Sequence, residues 1–199
     1  AGITGAISVR IEEPVFESTA FFEKGGVKVA VIGQHFPYTP IANPRYMVPE
    51  WSFGIRPETV QKNVNAARDA GAQIVVLLSH NGFDVDQKLA TVVTGIDVIL
   101  TGHTHDAVPQ ALKINKTLLL SSGSHGKYLG RIDLDVKGGE VVDYSSTLIP
   151  VFSDVITPDP EMSAHIDALR APYEAECNRV IGSTSGLLYR RGNFNGTWD

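Results

Sequence analysis

Two histidines two positions apart, His103 and His105, are the first candidates for chemistry in this sequence. They follow an apolar run, residues 96–100, that predicts a short buried strand ending near a glycine. In an extended segment, residues i and i+2 project to the same side, so we expect the two imidazoles about 6–7 Å apart. That separation is wide for one metal ion and suits two ions about 3.5–4 Å apart, each bound by one imidazole. Two polar residues on a solvated loop are an equally good interpretation of this pair alone.

A third histidine follows the preceding predicted strand. Residues 74–78 are all apolar, which is typical of a central parallel strand. A helix over residues 84–94 connects this strand to the one at residues 97–101, and the spacing of Asp84 and Gln87 predicts a capping box. Strand, helix and strand form a βαβ unit with a right-handed crossover, in which both strands run in the same direction.

Parallel strands bring their carboxyl ends to one edge of a sheet, where open α/β sheets bind their ligands. Neighbouring strands lie about 4.8 Å apart, so we expect His80, His103 and His105 to converge at this edge within reach of metal ions. His80 alone is also compatible with a polar residue that ends a strand. The three histidines together favour a metal site over that interpretation.

Two divalent ions held close together repel each other, and a bridging carboxylate or hydroxide normally offsets that repulsion. Asp106 is expected to point away from the histidine face and, like Asn81, to support a metal ligand by hydrogen bonding rather than to bind metal. Asp84 is predicted to cap a helix, and Asp97 begins a strand away from the site. We therefore expect the bridging acid to lie outside this sequence.

The composition limits the classes of function. The chain has 199 residues, of which 43% are apolar and 20% charged, as in ordinary globular proteins. The formal net charge of −5 argues against nucleic acid or an anionic membrane as the main partner. The single cysteine, Cys177, excludes an internal disulfide and a cysteine-based zinc site, and we expect it to be buried. No apolar run approaches the ~20 residues of a membrane span.

Alternating strand and helix patterns predict an α/β domain over residues 1–149. After a strand at residues 27–32, residues 34–51 carry four prolines among aromatic residues and predict a long irregular excursion. A proline-rich stretch then predicts a domain boundary. We expect a linker and helix over residues 150–180 and the start of another domain over residues 181–199.

Two further elements have clear signals. A helix is predicted to begin at Pro57, because proline suits the first helical position, and to end before Gly71. Val60 and Val64 are expected to belong to its buried stripe. Residues 129–148 predict two strands joined as a hairpin by a turn with two glycines.

The Leu-Leu-Ser-His-Asn-Gly of residues 77–82, followed by the Gly-His-Thr-His of residues 102–105, resembles calcineurin-like metallophosphoesterases of the 5′-nucleotidase branch. The resemblance implies the C-terminal half of a four-layer α/β/β/α metallophosphoesterase domain, a linker helix and the start of a C-terminal 5′-nucleotidase-type domain. It also implies that His80 and His103 bind one ion and that His105 binds its neighbour.

That family carries Asp-x-His, Gly-Asp and Gly-Asn-His motifs in its N-terminal half, and none of them occurs in this sequence. The resemblance therefore implies that the other ligands and the acid–base histidine lie outside the sequence. Since the chain also starts at Ala1 without an initiator methionine, we expect it to be an internal piece of a longer protein and to be inactive by itself.

A narrower resemblance covers nearly the whole chain. Residues 32–46, 51–55, 123–130 and 191–199 are similar to the SoxB thiosulfohydrolases of bacterial thiosulfate oxidation. This implies a hydrolase with two Mn²⁺ ions, Zn²⁺ being possible, that releases sulfate from a cysteine S-thiosulfonate on the SoxYZ carrier protein. It also implies a periplasmic location, for which no signal peptide is recognisable in the sequence itself.

Several residues carry weaker predictions. Arg190 and Arg191 could bind a substrate anion or form a solvated pair. Trp51 could line a channel for a carrier arm or pack in the core, and His125 could approach the site or be structural. His35 replaces a small residue usual in the family and is left out of the predicted site.

Three other functions stay open. A 5′-nucleotidase or phosphodiesterase would use the same scaffold with two metal ions. A mononuclear zinc site would use all three histidines, with water in the fourth position. A non-catalytic interaction domain would bind no metal, and substitution of its histidines would leave metal content unchanged.

Overall fold

The structure is a computed structural model that describes residues 6–8 and 14–187. In chain order, its strands and helices are β1 (Ala6–Ser8), β2 (Thr19–Lys24), β3 (Val27–Gln34), α1 (Thr39–Ala42), β4 (Trp51–Phe53), α2 (Pro57–Asp69), β5 (Ile74–Ser79), α3 (Phe83–Val92), β6 (Val98–Thr101), β7 (Leu112–Ile114), β8 (Thr117–Ser121), β9 (Tyr128–Lys137), β10 (Glu140–Pro150), α4 (Pro160–Arg170) and α5 (Glu174–Cys177). No helix within these described ranges is both long and apolar enough to cross a membrane.

The main sheet has six strands in the order β2-β3-β5-β6-β8-β7. Its four central strands, β3, β5, β6 and β8, are parallel, and an antiparallel strand closes each edge. The predicted parallel pairing of the two strands of the βαβ unit is confirmed, because β5 pairs with β6. The pair β1 and β4 and the pair β9 and β10 form separate two-stranded sheets.

Helices α2 and α3 cover one face of the main sheet. The stripe of α2 is buried as predicted, at Val60, Val64 and Ala67, and Gly71 follows the helix with a φ of +86°. These side chains join the largest core of the chain, whose other members include Ile32, Leu77, Leu89, Ile99 and Leu119. Each fully buried aliphatic side chain of this kind contributes about 1.5–3 kcal/mol to stability, so the helix-covered face holds β3, β5, β6 and β8 in place.

The β9–β10 hairpin, which is confirmed, packs on the opposite face of the sheet. Ile132, Leu134 and Tyr144 contact a second core formed by Val98, Leu118 and Leu120. Helices, sheet and hairpin thus form three successive layers of a mixed α/β fold. The hairpin leaves part of this face open, and Leu78 of β5 is 46% exposed. The all-apolar pattern of this strand is typical of burial on both faces, and at Leu78 that expectation is wrong.

Helix α3 begins one residue earlier than predicted, at Phe83, with Gly82 as its N-cap. Asp84 therefore lies in the first turn and does not cap the helix. Its Oδ1 accepts a long hydrogen bond of 3.4 Å from Gln87 Nε2. The predicted capping box is wrong, because it was placed two residues too far along the chain.

The chain divides into two compact units, residues 1–152 and residues 153–199. In the second unit, the Asp159 side chain caps α4 by accepting a hydrogen bond from the Met162 N–H at 2.8 Å. Cys177 is exposed, so its predicted burial is wrong. The domain boundaries predicted near residues 150 and 180 stay predictions.

Candidate metal centre

The four parallel strands end together, and each ends on a polar residue. The strand register places Gln34, Ser79, Thr101 and Ser121 at one level across β3, β5, β6 and β8. Three of them are almost fully buried, and Thr101 is half-buried. Because parallel strands share one carboxyl edge, the loops that follow these residues meet above this polar row.

The structure brings His80 and His103 together at this edge, with ring centroids 5.4 Å apart. Imidazole nitrogens bind divalent ions such as Zn²⁺ at about 2.0–2.1 Å. Two rings at this separation can therefore both reach a single ion. These are the two histidines that the family resemblance predicts to share one ion.

The loop that carries His103 and His105 is not extended. Strand β6 ends at Thr101, and the φ angles of His103 and His105 are +80° and +61°. The predicted extended geometry is wrong, and the separation of 6–7 Å that depended on it does not apply. His105 instead lies beside His125, whose ring is 5.6 Å away in an edge-on arrangement. His125 therefore approaches the histidine edge, one of the two interpretations left open for it.

Residues other than glycine rarely adopt the left-handed backbone conformation, and those that do cluster at functional sites. His103, His105 and His125 all adopt this conformation. The three residues lie in the loops that follow β6 and β8. The unusual backbone is thus concentrated where the histidines gather.

Burial lowers the pKa of His80, and the nearby His103, His35 and His105 lower it further. The neutral imidazole is the form that binds metal, so this environment favours the metal-binding state of His80. The same effect shows that His35, which the sequence analysis left out of the site, lies near His80. The His35 ring packs on Phe53 at 4.9 Å, and its Nδ1 lies 2.7 Å from the Phe36 carbonyl oxygen.

Phe36 is a site residue that sequence reasoning missed. Its ring centroid lies 4.3 Å from that of His103 and 5.6 Å from that of His80. The Phe36 ring is half-buried and contacts one side of both imidazoles, which themselves remain exposed to solvent. The sequence feature that could have identified Phe36 is its position. It lies two residues after the end of β3, at the same edge of the sheet as the residues that follow β5 and β6.

Asp86 is the second residue that sequence reasoning missed. Its side chain is fully buried beneath the histidine loops and accepts hydrogen bonds from Ser79, Asn81 and Thr101. Burial raises the pKa of Asp86, and the three hydrogen bonds oppose that rise. Helix α3 therefore carries a carboxyl group that connects the ends of β5 and β6.

The two residues predicted to support the ligands take different positions. Asn81 is 2% exposed, donates to Asp86 and accepts from Gln34 Nε2 at 3.3 Å. Its side chain therefore lies beneath the histidines rather than against an imidazole ring. The carbonyl oxygen of Asp106 accepts from Ser121 Oγ at 2.6 Å, and the role predicted for the Asp106 carboxylate stays a prediction.

The two histidine loops interlock closely at glycines. A Cβ atom on Gly102 would lie 3.4 Å from Nδ1 of His80, and a Cβ atom on Gly82 would lie 2.9 Å from Cγ2 of Thr104. The Thr104 hydroxyl also accepts a hydrogen bond of 3.0 Å from the Phe83 N–H. The conformation of one loop therefore limits that of the other.

Neutral imidazoles at the ends of parallel strands are suitable donors for divalent transition metals. Across residues 6–8 and 14–187, no three His, Cys, Asp or Glu side chains come close enough to hold an ion by themselves. The donor set therefore fits part of a metal site and not a whole one. Arg190 and Arg191, predicted to bind a substrate anion, lie outside the described residues.

The chain is similar to several solved structures. It matches the sulfate thiohydrolase SoxB of Thermus thermophilus with a TM-score of 0.83 and 31% identity, over 86% of this chain and 32% of that one. It matches a 5′-nucleotidase precursor, also from Thermus thermophilus, with a TM-score of 0.78 and 25% identity, over 90% of this chain and 39% of that one.

Curated sequences give the same family. The metallophosphoesterase YunD of Bacillus subtilis is 34% identical over 113 residues, which are 57% of this chain and 23% of YunD. No protein-family model matches the chain. The chain spans less than half the length of each of these relatives. Its sheet and its similarity to nucleotidases and to SoxB agree, and together they support the 5′-nucleotidase branch of the calcineurin-like metallophosphoesterases as the family of this chain.

Proposed function

We propose that this chain supplies part of the active site of a hydrolase with two divalent metal ions. His80 and His103 bind one ion, and His105 binds the other. The observation that carries the proposal is the pairing of the His80 and His103 rings, 5.4 Å apart at the carboxyl edge of the sheet. The remaining ligands, including a bridging carboxylate, come from sequence beyond this chain, which spans about a third of the SoxB structure it matches.

The metals we propose are Mn²⁺ ions, with Zn²⁺ as the alternative, because imidazole ligands are compatible with both. When bound, two such ions activate a water molecule and neutralise charge that develops on an oxygen-rich centre. The chain's own residues hold the ions with neutral imidazoles. Phe36 contributes an apolar surface beside the ligands, since its ring packs against both His80 and His103.

For the substrate, we propose a cysteine S-thiosulfonate on the SoxYZ carrier protein, in the periplasm. The water oxygen adds to the sulfonate sulfur, the bond from that sulfur to the neighbouring sulfane sulfur breaks, and sulfate leaves. The sulfane sulfur stays on the carrier's cysteine as a persulfide, keeps the electron pair of the broken bond and takes up one proton of the water, while the other proton passes to solvent. The similarity to SoxB, with 31% identity over 86% of this chain, supports this choice, as does the proline-rich excursion in residues 34–51.

A 5′-nucleotidase is the second candidate, and its support is also specific. Snake venom 5′-nucleotidase of Gloydius brevicauda matches 84% of this chain at 26% identity. Its substrate would be a nucleoside monophosphate, whose tetrahedral oxyanion resembles the sulfonate in shape and charge. The same pair of ions would serve both reactions.

An assay of the full-length protein, meaning this chain with any flanking sequence encoded with it, separates the two. Sulfate release from a carrier-bound thiosulfonate, with no phosphate release from AMP, is the expected result. Phosphate release from AMP without sulfate release would overturn the thiosulfonate assignment. A variant with both His80→Ala and His103→Ala serves as the inactive control for either reaction.

A further inference from the structure

Asp86 forms a bridge between the two histidine loops. It lies in the first turn of α3, and its side chain is completely buried. Its Oδ1 accepts hydrogen bonds from Ser79 Oγ at 2.8 Å and from Asn81 Nδ2 at 2.9 Å. Its Oδ2 accepts a hydrogen bond from Thr101 Oγ1 at 2.5 Å. One carboxyl group thus joins the end of β5 to the end of β6.

The residues that donate to Asp86 flank the candidate ligands. Ser79 directly precedes His80, and Asn81 directly follows it. Thr101 is separated from His103 by one glycine. A change in the position of the Asp86 carboxyl group would therefore move both imidazole rings of the proposed shared site.

The bridge continues to the next strand. Gln34, the last residue of β3, donates from Nε2 to the Asn81 Oδ1 at 3.3 Å, and the His80 N–H donates to the Gln34 carbonyl at 3.0 Å. The ends of β3, β5 and β6 are therefore joined through one buried polar network. Every buried side-chain polar atom in the described residues has a hydrogen-bond partner.

The chemistry of this network is unusual for a purely structural site. The three side chains that donate to Asp86 are neutral, so the buried carboxyl group gains no ion pair from them. Burying a carboxylate without a cation is costly, and aspartate is rarely found fully buried unless it is paired. A well-packed apolar side chain would fill the same space at lower cost, although it would leave the donors of Ser79 and Thr101 unsatisfied.

We propose that Asp86 is a positioning residue that sets the spacing of His80 and His103 before the metal ion binds. It touches neither the ion nor the substrate, and it acts through Ser79, Asn81 and Thr101. The ligand whose binding Asp86 affects is a divalent cation, which the two imidazoles hold. The inference rests on the metal site proposed above and extends it to the residue that organises that site.

The test compares Asp86→Asn with Asp97→Asn in the full-length protein. Asp97 is the matched control, because it is an aspartate that is also largely removed from solvent, with 17% of its side chain exposed, but it directly precedes β6 at the opposite end of that strand. Each variant is stripped of metal and titrated with Mn²⁺ alone and with Zn²⁺ alone, and bound Mn²⁺ is measured by electron paramagnetic resonance. Thermal unfolding of the metal-free protein is measured on the same samples.

We expect Asp86→Asn to lower the affinity for one of the two ions about 10–100-fold, the range found for residues that orient metal ligands. Asp97→Asn should leave both metal affinities unchanged. A merely structural Asp86 would lower the unfolding temperature of the metal-free protein while leaving its Mn²⁺ and Zn²⁺ affinities per folded molecule unchanged. That result would overturn the positioning role.

Thr101→Val keeps the test decisive if Asp86→Asn does not fold, because it removes one of the three hydrogen bonds and keeps the carboxyl group. It should weaken the same ion by a smaller factor, and unchanged affinity would contradict the proposal. Wild-type protein that binds neither Mn²⁺ nor Zn²⁺ would instead overturn the proposed metal site itself. The failure of the metal site and the failure of the positioning role are therefore distinguishable.

Discussion

Each end of the main sheet holds an aspartate, fully buried at the carboxyl end and partly buried at the amino end, and the two carboxyl groups have different partners. At the amino end, Asp97 Oδ2 accepts a hydrogen bond from Arg68 at 2.6 Å and one from the Val75 N–H at 2.7 Å. At the carboxyl end, Asp86 accepts from two hydroxyl groups and an amide. Burial raises the pKa of both carboxyl groups, and for Asp97 the Val75 N–H and Arg68 oppose that rise.

This difference suggests one role for each end of the sheet: we assign stability to the amino end and metal binding to the carboxyl end. The amino end compensates the buried charge with a cation, and Arg68 ties α2 to the sheet. That end also borders a cavity of about 700 Å³, lined in part by Thr94, Lys113 and Tyr144, with no histidine among its lining residues. The carboxyl end leaves its carboxyl group with neutral donors, and the candidate imidazoles follow or lie next to those donors in the chain.

The largest effect on stability is expected at the amino end. Asp97→Ala leaves the Arg68 guanidinium without its carboxylate. Removing one partner of a buried ion pair costs about 3–5 kcal/mol, and since both side chains here keep some exposure we expect a loss of about 2–3 kcal/mol. Urea denaturation of the metal-free protein measures it. A loss below about 0.5 kcal/mol, or a change in Mn²⁺ affinity, would contradict the division between the two ends.

Gly82→Ala tests the interlocked loops at the carboxyl end. The φ of Gly82 is +104°, and the new Cβ would meet Cγ2 of Thr104 at 2.9 Å. Backbone strain of this kind costs about 1–3 kcal/mol, and the contact should also displace the His103 loop. We expect lower stability in thermal unfolding together with weaker Mn²⁺ binding.

Gly138→Ala is the matched control for that variant. Gly138 has a φ of +61° at the tip of the β9–β10 hairpin, and a Cβ there would have no neighbour within 4 Å. It should cost about 1 kcal/mol of backbone strain without a change in metal affinity. Equal effects of the two variants on metal affinity would show that the loops do not depend on each other.

The pH dependence of stability distinguishes Asp86 from its replacement. Because the pKa of Asp86 is raised in the folded protein, the folded state holds its proton more tightly than the unfolded state does. The stability from this group is fully present below the unfolded pKa of about 3.9 and is lost as the pH rises through the folded pKa. We expect metal-free wild type to lose stability relative to Asp86→Asn over that window. Denaturant midpoints at a series of pH values measure the difference, and a difference that moved the other way would contradict the raised pKa.

The smallest effect is expected for an exposed ion pair near the amino end. The side chains of Lys116 and Glu140 are 92% and 77% exposed, with 3.8 Å between their charged atoms. Lys116→Ala should change the free energy of unfolding by no more than about 0.5 kcal/mol. A larger change would show that surface charge contributes to the stability that we assign to the Arg68–Asp97 pair.

Much of the fold was predictable because its signals are local. The α2 stripe at Val60 and Val64 and the apolar run of β5 both follow from short-range periodicity. The convergence of His80 with His103 follows from the direction of two parallel strands joined by one helix. No distant contact was needed for these predictions.

The rest of the site depends on contacts between distant residues. The left-handed conformations of His103 and His105 occur in a loop held against α3 by the Thr104–Phe83 hydrogen bond. Asp86 was missed because its partner Thr101 is fifteen residues away, and no local pattern indicates a carboxyl group that accepts hydrogen bonds from two strand ends. Phe36 comes from the irregular excursion, whose path local propensity does not determine.

The most direct test of the account is the metal content of the full-length protein after dialysis against metal-free buffer. Wild type should retain two divalent ions. His80→Ala, His103→Ala and the double variant should each retain one, because the two imidazoles share an ion, and adding His105→Ala should remove the second. The shared site would be contradicted if the double variant retained two ions. It would also be contradicted if each single variant lost one ion and the double variant lost both.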